Sequence, residues 1–208
     1  MSYYKRNLPH WQPGEGNYFV TYRLAGSLPV EVVEKFNHYR KNYLDGPGNI
    51  SDEEKLDLER KLFHKFDQLL ARSSNGPHWL QKPKIADKVI ESIEFFEPKY
   101  YHTYAYCVMP NHVHWVLRLL KIKEDVKYPL TDILQRIKSY SASEANKILG
   151  RSGKFWNSES FDRVIRDERE LENTIRYTLN NPVKGGFVDN WENWPYSYCD
   201  PYIVDSFY

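Results

Sequence analysis

The segment HVHWVLRL, residues 112–119, alternates side chains of two kinds and constrains the fold more than any other part of the sequence. In a β-strand, successive side chains point to opposite faces of the sheet. One face would carry only apolar residues, namely Val113, Trp115, Leu117 and Leu119. The other face would carry His112, His114, Val116 and Arg118. We therefore predict a strand with one side in the core and two histidines on the other.

The neighbouring segments predict an antiparallel sheet around this strand. Residues 100–108 are rich in Tyr, Val and Thr, and the turn Met109-Pro110-Asn111 would join them to the histidine strand as a hairpin. Residues 17–24 also alternate, which indicates another strand. Its predicted core side carries Tyr18, Val20, Tyr22 and Leu24, and its other side carries Phe19, Thr21 and Arg23. A loop with Phe155, Trp156 and Phe161 is predicted to lead into a short extended piece around Val164 and Ile165.

Apolar residues at helical spacing predict helices between and after these strands. Ser51 with Glu54 three residues later forms a capping-box pattern at the start of one helix. A helix after Pro29 is expected to reach the break at residues 45–49, and the others are expected at residues 51–71, 84–96, 131–149 and 168–180. Strands mixed with helices in this order predict an α+β fold, with helices packed on an antiparallel sheet.

Composition narrows the functional classes. The formal net charge of +1 gives no general sign of nucleic-acid binding. Two cysteines are too few for a disulfide framework. The sequence has no apolar run near 18 residues and no signal-peptide pattern. We therefore expect a cytoplasmic protein with no membrane partner.

Basic residues are locally in excess between residues 131 and 156. Only Asp132 and Glu144 oppose them there, and the basic residues are Arg136, Lys138, Lys147, Arg151 and Lys154. Such a segment could line a phosphate path, or it could be a solvated helix face and loop. Aromatic residues make up 16% of the chain, and their flat faces suit base stacking as well as core packing.

Two further patterns carry chemistry. His112 and His114 share one strand face, close enough to bind one divalent cation, although a hydrogen-bonded pair of histidines is the alternative. Tyr177 and Asn181 are spaced i and i+4, so they are neighbours if the last helix continues to its end, although packing and capping are their ordinary roles. Together the four residues fit metal-assisted phosphoryl transfer to a tyrosine, with the Asn181 amide as a third protein ligand of Mg²⁺ or Mn²⁺.

With these motifs the chain resembles the REP-associated tyrosine transposases, relatives of the single-tyrosine insertion-sequence transposases of the HUH class. The HUH pattern is His, a hydrophobic residue, His, and residues 112–114 match it. The nucleophilic tyrosine of that family corresponds to Tyr177 and its metal-binding amide to Asn181. The resemblance extends over LPHW at residues 8–11, YFVTYRLAGSLP at 18–29, YCVMPNHVHW at 106–115 and GKFWNSESFDRVIRDERELENTIRYTLNNPVKGGFV at 153–188.

The resemblance implies one HUH domain over residues 1–208, built on a ferredoxin-like sheet with the histidine strand central and opposite the tyrosine helix. A helical insertion is expected at about residues 45–75 and a C-terminal tail at about 188–208. The implied activity is cleavage and rejoining of single-stranded DNA hairpins, such as REP palindromes, through a 5′-phosphotyrosine. The residues expected to contact DNA are Arg136, Lys138, Arg151, Lys154, Trp156, Arg163 and Arg166.

The sequence leaves several alternatives open. The chain would be either a monomer or a homodimer. A domesticated module would bind structured nucleic acid without turnover, and a metal-dependent nuclease would use water in place of Tyr177. Insertion-sequence relatives carry Gln where this chain has the shorter Asn181, so the amide would bind the metal directly or through a water molecule.

Overall fold

The structure is a computed structural model that describes residues 2–5, 9–12, 16–35, 38, 51–72, 76–120 and 129–204. The chain forms two compact units. One unit comprises Met1–Ala25 and His78–Tyr208, and the other comprises Gly26–Pro77. Every residue that the sequence proposes for catalysis, metal binding or DNA binding falls in the first unit.

The first unit is built on a five-stranded sheet in which every neighbouring pair is antiparallel. A separate pair of short strands, β1 and β2, also runs antiparallel. The bounds are β1 Ser2–Lys5, β2 Pro9–Gln12, β3 Gly16–Leu24, β4 Tyr101–Val108, β5 His112–Leu119, β6 Trp156–Ile165 and β7 Ser197–Cys199. The sheet order is β6-β3-β5-β4-β7, so the histidine strand β5 is central.

Helices connect and follow these strands. Their bounds are α1 Asp52–Arg72, α2 Pro83–Glu94, α3 Leu130–Ile148, α4 Glu168–Leu179, α5 Asn181–Lys184 and α6 Pro201–Val204. Single 3₁₀ turns occur at Trp79–Gln81 and Trp191–Asn193. None of the helices in the described ranges is both long and apolar enough to cross a lipid bilayer.

The topology of the first unit is ferredoxin-like. The helix-linked strands follow one another as β3, β4, β5 and β6, and their spatial order puts the last beside the first and the third beside the second. Helix α2 lies between β3 and β4 in the chain, and α3 lies between β5 and β6. The α+β class with an antiparallel ferredoxin-like sheet, predicted from the sequence, is therefore confirmed.

The main core lies on one face of this sheet, under α2 and α3. Alternation along β5 places Val113, Trp115 and Leu117 there, as the sequence predicts. Trp115 is completely buried, and its indole N–H donates to Thr103 Oγ1 at 3.2 Å. The predicted core side of β3, Tyr18, Val20, Tyr22 and Leu24, also belongs to this core.

The loop predicted around residues 155–161 is wrong, because residues 156–165 form the edge strand β6. Its side chains show little alternation and most are only half-buried, so the sequence carries a weak strand signal there. Pairing with β3 forms the strand, and an edge position tolerates its polar residues. Strand β7 lies in the expected tail segment and has no counterpart among the predicted strands, since it is three residues long and held by pairing to β4.

The second unit contains α1, and the capping box predicted at its start is formed. Glu54 accepts from the Ser51 backbone N–H at 2.8 Å, while the Glu54 N–H donates to Ser51 Oγ at 3.2 Å. Hydrogen bonds from the Ser51 backbone N–H and the Ser51 hydroxyl lower the pKa of the Glu54 carboxyl. Residues 30–35 are helical too, but most of the helix predicted between there and residue 45 lies outside the described residues.

Candidate metal and tyrosine site

The two histidines of β5 form a buried pair on the sheet face opposite the main core. Their exposed fractions are 1% for His112 and 0% for His114. The two Nε2 atoms lie 3.1 Å apart, and the ring planes are inclined by 76°. The strand therefore directs both imidazole Nε2 atoms to one point, as alternation along β5 requires.

Each imidazole is held from behind through its other nitrogen. His112 Nδ1 lies 2.6 Å from Asn111 Oδ1, an atom that only accepts, so Nδ1 carries the proton in that bond. His114 Nδ1 lies 2.8 Å from Thr21 Oγ1, and Thr21 faces His114 in the register of β3 and β5. When both Nδ1 atoms donate, both Nε2 lone pairs are available. This is how histidine ligands are oriented at metal sites.

The spacing of the pair fits one divalent cation. Adjacent corners of an octahedron with metal–ligand bonds of about 2.1 Å are about 3.0 Å apart. The observed Nε2 separation of 3.1 Å is close to that value. It is also a hydrogen-bond length, so one imidazole can donate to the other when no cation is bound. The geometry of the pair is therefore compatible with a metal site and with a hydrogen-bonded pair of histidines.

Tyr177 lies on the histidine face. Helix α4 contacts β4, β5 and β7. The Tyr177 ring centroid is 5.9 Å from that of His114 and 6.2 Å from that of Phe19, which itself stacks on His114 at 5.6 Å. Tyr177 is half-buried, whereas Ile175 and Leu179 are buried, so the helical phase separates the phenol from those two core residues.

Two side chains that follow Tyr177 in the chain contact this residue, one at its backbone and one at its ring. Asn181, the first residue of α5, is buried, and its Nδ2 donates to the Tyr177 carbonyl at 2.8 Å. Its Oδ1 remains as an acceptor or metal ligand. Lys184 at the end of α5 places Nζ 4.5 Å from the Tyr177 ring centroid. Pro182 disfavours continuation of α4, and the break between α4 and α5 there also sets the positions of the Asn181 and Lys184 side chains.

Two arginines add positive charge to the same face. Arg163 lies over the Phe19 ring at 5.5 Å, and its guanidinium donates to Glu170 and, at 3.0 Å, to Thr174 Oγ1. Arg23 is buried and opposes His112 in the register of β3 and β5. Burial lowers the pKa of the Arg23 guanidinium to about 10, so it stays charged at neutral pH.

Four of the basic residues expected to bind DNA lie in α3 or in the segment that follows it. Arg136 and Lys154 are exposed. Lys138 donates to the Ser158 carbonyl and Ser160 Oγ, both at 3.2 Å, so it fastens α3 to β6. Arg151 stacks over the Trp79 ring at 4.3 Å. Because α3 covers the core face, the α3 residues Arg136 and Lys138 belong to the layer opposite α4 and Tyr177.

The expectation that Trp156 contacts DNA is wrong, because the structure places this residue in the core. It is 5% exposed, its ring lies edge-on to Tyr22 at 4.8 Å, and its N–H donates to Ser141 Oγ at 3.0 Å. A ring enclosed in this way cannot stack on a base. The expectation fails because a sequence cannot distinguish a core tryptophan from a surface one in an irregular segment.

The residues that hold the site together are absent from the set predicted by the sequence. Thr21 and Asn111 orient the imidazoles, Phe19 packs against both His114 and Tyr177, and Lys184 lies over the phenol. Two of them carry a signal, since Phe19 and Thr21 share the side of β3 that faces away from the predicted core. Which residue opposes His114 depends on the strand register, which requires the three-dimensional structure.

The central strand of this ferredoxin-like sheet carries two convergent histidines, and a helix with a tyrosine packs on the same face. These features were compared with those of known proteins. No family model matches the chain. A protein of Haemophilus influenzae named "Putative REP-associated tyrosine transposase" is 28% identical over 102 residues, which are 47% of this chain. The chain spans 58% of the length of that relative.

The fold leads to the same group of proteins. A solved structure of a REP-associated tyrosine transposase bound to a REP hairpin superimposes with a TM-score of 0.53. That match covers 100% of this chain and 88% of the other at 18% identity. At this identity it is evidence for the fold alone. The resemblance found in the sequence is confirmed: the chain is similar to REP-associated tyrosine transposases.

Proposed function

We propose that this protein is a transposase that cleaves and rejoins single-stranded DNA hairpins through a covalent bond to Tyr177. The observation that carries the proposal is that Tyr177 and the histidine pair share one sheet face, with the phenol ring 5.9 Å from the His114 ring. Similarity to REP-associated tyrosine transposases supports the reaction class. The hairpin bound to the solved neighbour suggests the kind of substrate.

His112, His114 and Asn181 would hold a divalent cation, Mg²⁺ or Mn²⁺. Two imidazole nitrogens and one amide oxygen suit Mn²⁺ better than Mg²⁺, which prefers oxygen ligands. Bound there, the cation would supply a Lewis acid that polarises the scissile phosphate. Asn111 and Thr21 would keep both imidazoles in the tautomer with a free Nε2.

Tyr177 would be the nucleophile. Its phenol would lose a proton, its oxygen would bond to phosphorus, and the 3′-oxygen of the preceding nucleotide would leave and take up a proton. A 5′-phosphotyrosine and a free 3′-hydroxyl result, and attack by a DNA 3′-hydroxyl would release the phenol again. A tyrosine phenol in water has a pKa of about 10, which makes a phenolate a good leaving group in that reverse step. The Lys184 ammonium over the ring would stabilise the departing phenolate.

DNA affinity would come mainly from phosphate contacts. Of the residues expected to contact DNA, Arg136, Lys154 and Arg166 are exposed, and Arg163 lies over the Phe19 ring on the sheet face that carries Tyr177. Lys138 and Arg151 are half-buried and hold the protein's own segments, so phosphate would have to compete with those contacts. A binding module without turnover and a water-using nuclease are the alternatives to test.

Labelled single-stranded hairpins from the flanks of the encoding gene, incubated with Mn²⁺, provide the test. We expect a denaturant-stable adduct that peptide mass spectrometry maps to Tyr177. Tyr177→Phe removes only the hydroxyl and should lose both cleavage and adduct. Tyr140→Phe is the matched control, because Tyr140 is an exposed tyrosine on α3, and it should behave as the unmodified protein.

Three results would contradict the proposal. Cleavage that persists in Tyr177→Phe without an adduct would identify a nuclease that uses water. An adduct on another tyrosine would exclude Tyr177 as the nucleophile. Tight hairpin binding with no cleavage under any divalent cation would identify a binding module.

A further inference from the structure

A pocket of about 530 Å³ lies on the first unit at the start of β3 and the ends of β5 and β6. Its volume is within the range of roughly 300–1,000 Å³ that is typical of ligand sites. The lining consists of Gly16, Asn17, Arg118, Leu119, Leu120, Ile165 and Arg166. Neither the metal site nor the tyrosine helix contributes a residue, so it is a separate feature.

The charge of this pocket is unbalanced. Arg118 and Arg166 are both exposed, and within the described part of the chain neither guanidinium forms an ion pair with a carboxylate. Nearby arginines differ, since Arg163 pairs with Glu170 and Arg176 with Glu172. Two like charges around one cavity repel each other, and an anion between them would relieve that repulsion.

The remaining lining also suits a phosphate group. Asn17 Oδ1 accepts from the Tyr104 hydroxyl at 3.1 Å, which leaves the Asn17 Nδ2 group as a donor. The other side chains, Leu119, Leu120 and Ile165, are apolar, and none of the described lining residues carries a carboxylate. Glu170, the acidic residue four positions after Arg166, is occupied by the Arg163 guanidinium and the Arg166 backbone N–H. Guanidinium groups with an amide donor are typical of phosphate recognition.

The position of the pocket relates it to the proposed cleavage site. Arg118 is on the same face of β5 as His112 and His114, and four residues along a strand span about 13 Å. That distance corresponds to at most about four stacked nucleotides at 3.4 Å each. Phe19, which stacks on His114, and Arg163 above it lie between the two places.

We propose that Arg118 and Arg166 form a phosphate-binding subsite for the single DNA strand that leads away from the scissile phosphate. The inference rests on the proposed function for the identity of the anion. A free phosphate ion would bind to the same groups, and the experiment below distinguishes it from the DNA strand. The subsite would fix the position of the strand relative to Tyr177 while the hairpin is held elsewhere.

The test measures binding in the Tyr177→Phe background, so it does not depend on whether the protein cleaves DNA. Two labelled oligonucleotides are compared, a hairpin alone and the same hairpin with a single-stranded extension. The Arg118→Gln/Arg166→Gln variant should bind the extended oligonucleotide more weakly, with a salt slope shallower by about 0.7 for each phosphate that it no longer neutralises. Its affinity for the bare hairpin should fall much less than its affinity for the extended oligonucleotide.

Two controls make the result specific. Lys82→Gln/Lys84→Gln removes two exposed charges at the start of α2, on the core-face layer, and should leave both affinities unchanged. Arg118→Lys/Arg166→Lys should recover most of the slope, because the charge is kept. Equal thermal midpoints for all variants would show that the fold is intact.

Three outcomes would overturn the subsite. The first is a glutamine variant that keeps the salt slope of the parent, and the second is one that weakens binding of both oligonucleotides equally. The third is binding of inorganic phosphate that the glutamine variant loses while its affinity for the extended oligonucleotide equals that of the parent, which would assign the pocket to the free ion. If the subsite behaves as expected while unmodified protein forms no adduct, only the proposed function fails.

Discussion

The two faces of strand β5 are almost equally buried but differ in chemistry. On the core face, Val113, Trp115 and Leu117 are completely buried among apolar and aromatic neighbours. On the opposite face, His112 and His114 are buried just as deeply but belong to a chain of polar contacts that runs from Thr21 to Asn111. Burial therefore does not distinguish a structural residue from a functional one in this strand.

The difference lies in how polar groups are satisfied. On the core face, polar atoms are few, and burial raises the pKa of the Tyr22 and Tyr101 phenols and keeps them neutral. On the histidine face, each imidazole uses one nitrogen for a fixed partner and turns the other towards its neighbour. Burying a polar network of this kind requires desolvation of every member, which favours a functional reason for it. Disrupting each face separately tests this interpretation.

The largest effect is expected from removing the histidine pair. His112→Ala/His114→Ala should lower hairpin cleavage by about a thousandfold or more, because the proposed metal would supply several kcal/mol of transition-state stabilisation. Hairpin binding should stay close to that of the unmodified protein, since the proposed phosphate contacts involve other residues. Cleavage rates and gel-shift affinities measure the two quantities.

Chelation provides the parallel measurement. Chelator treatment should stop cleavage by the unmodified protein, and added Mn²⁺ should restore it there but not in the double variant. His78→Ala, a change at a histidine outside the sheet, should have little effect. Undiminished cleavage by the double variant in chelator would remove the metal from the mechanism.

On the core face, the expected loss is one of stability. Trp115→Ala should lower the free energy of unfolding by about 3–5 kcal/mol, because it leaves a cavity under α2 and α3 and an unpaired Thr103 hydroxyl. Urea denaturation followed by circular dichroism measures this. A variant within about 1 kcal/mol of the unmodified protein would mean that the surrounding side chains close the cavity fully.

Paired threonine variants compare the two faces directly. Thr21→Val removes the partner of His114 Nδ1, and we expect Mn²⁺ affinity to fall by about 10–100-fold, as for other residues behind a metal ligand. Thr103→Val removes the partner of the Trp115 N–H on the core face and should cost about 1 kcal/mol of stability without changing Mn²⁺ affinity. Isothermal titration measures the Mn²⁺ affinity of the two variants. Equal affinities would contradict the proposal that only the histidine face supports metal binding.

The smallest effect concerns two tyrosines of the core. The Tyr22 hydroxyl is buried, and no hydrogen-bond partner for it appears among the described residues. Tyr22→Phe should therefore leave stability unchanged or raise it by up to about 1 kcal/mol. Tyr101→Phe should lower it by about 1 kcal/mol, because the Tyr101 hydroxyl donates to the Ile93 carbonyl. Thermal unfolding measures both, and a large decrease in Tyr22→Phe would reveal a partner for that hydroxyl.

Much of the site could be predicted from the sequence because its residues are close in the chain. Alternation over eight residues separates the two faces of β5, and the i, i+4 spacing brings Asn181 to the Tyr177 carbonyl. The helices α1, α2, α3 and α4 and the strands β3, β4 and β5 follow from periodicity for the same reason. These predictions depend on backbone geometry that repeats within one element.

The rest of the site depends on contacts between distant segments, which no local pattern encodes. Strand register places Thr21 behind His114, and sheet order places Arg163 over Phe19 and brings Arg118 and Arg166 to one pocket. Trp156 lies in the core, which the sequence does not predict, since an edge strand with weak alternation gives no sign of which way a side chain points. Local patterns thus determine the chemistry that each segment carries, and long-range packing decides which of those groups meet.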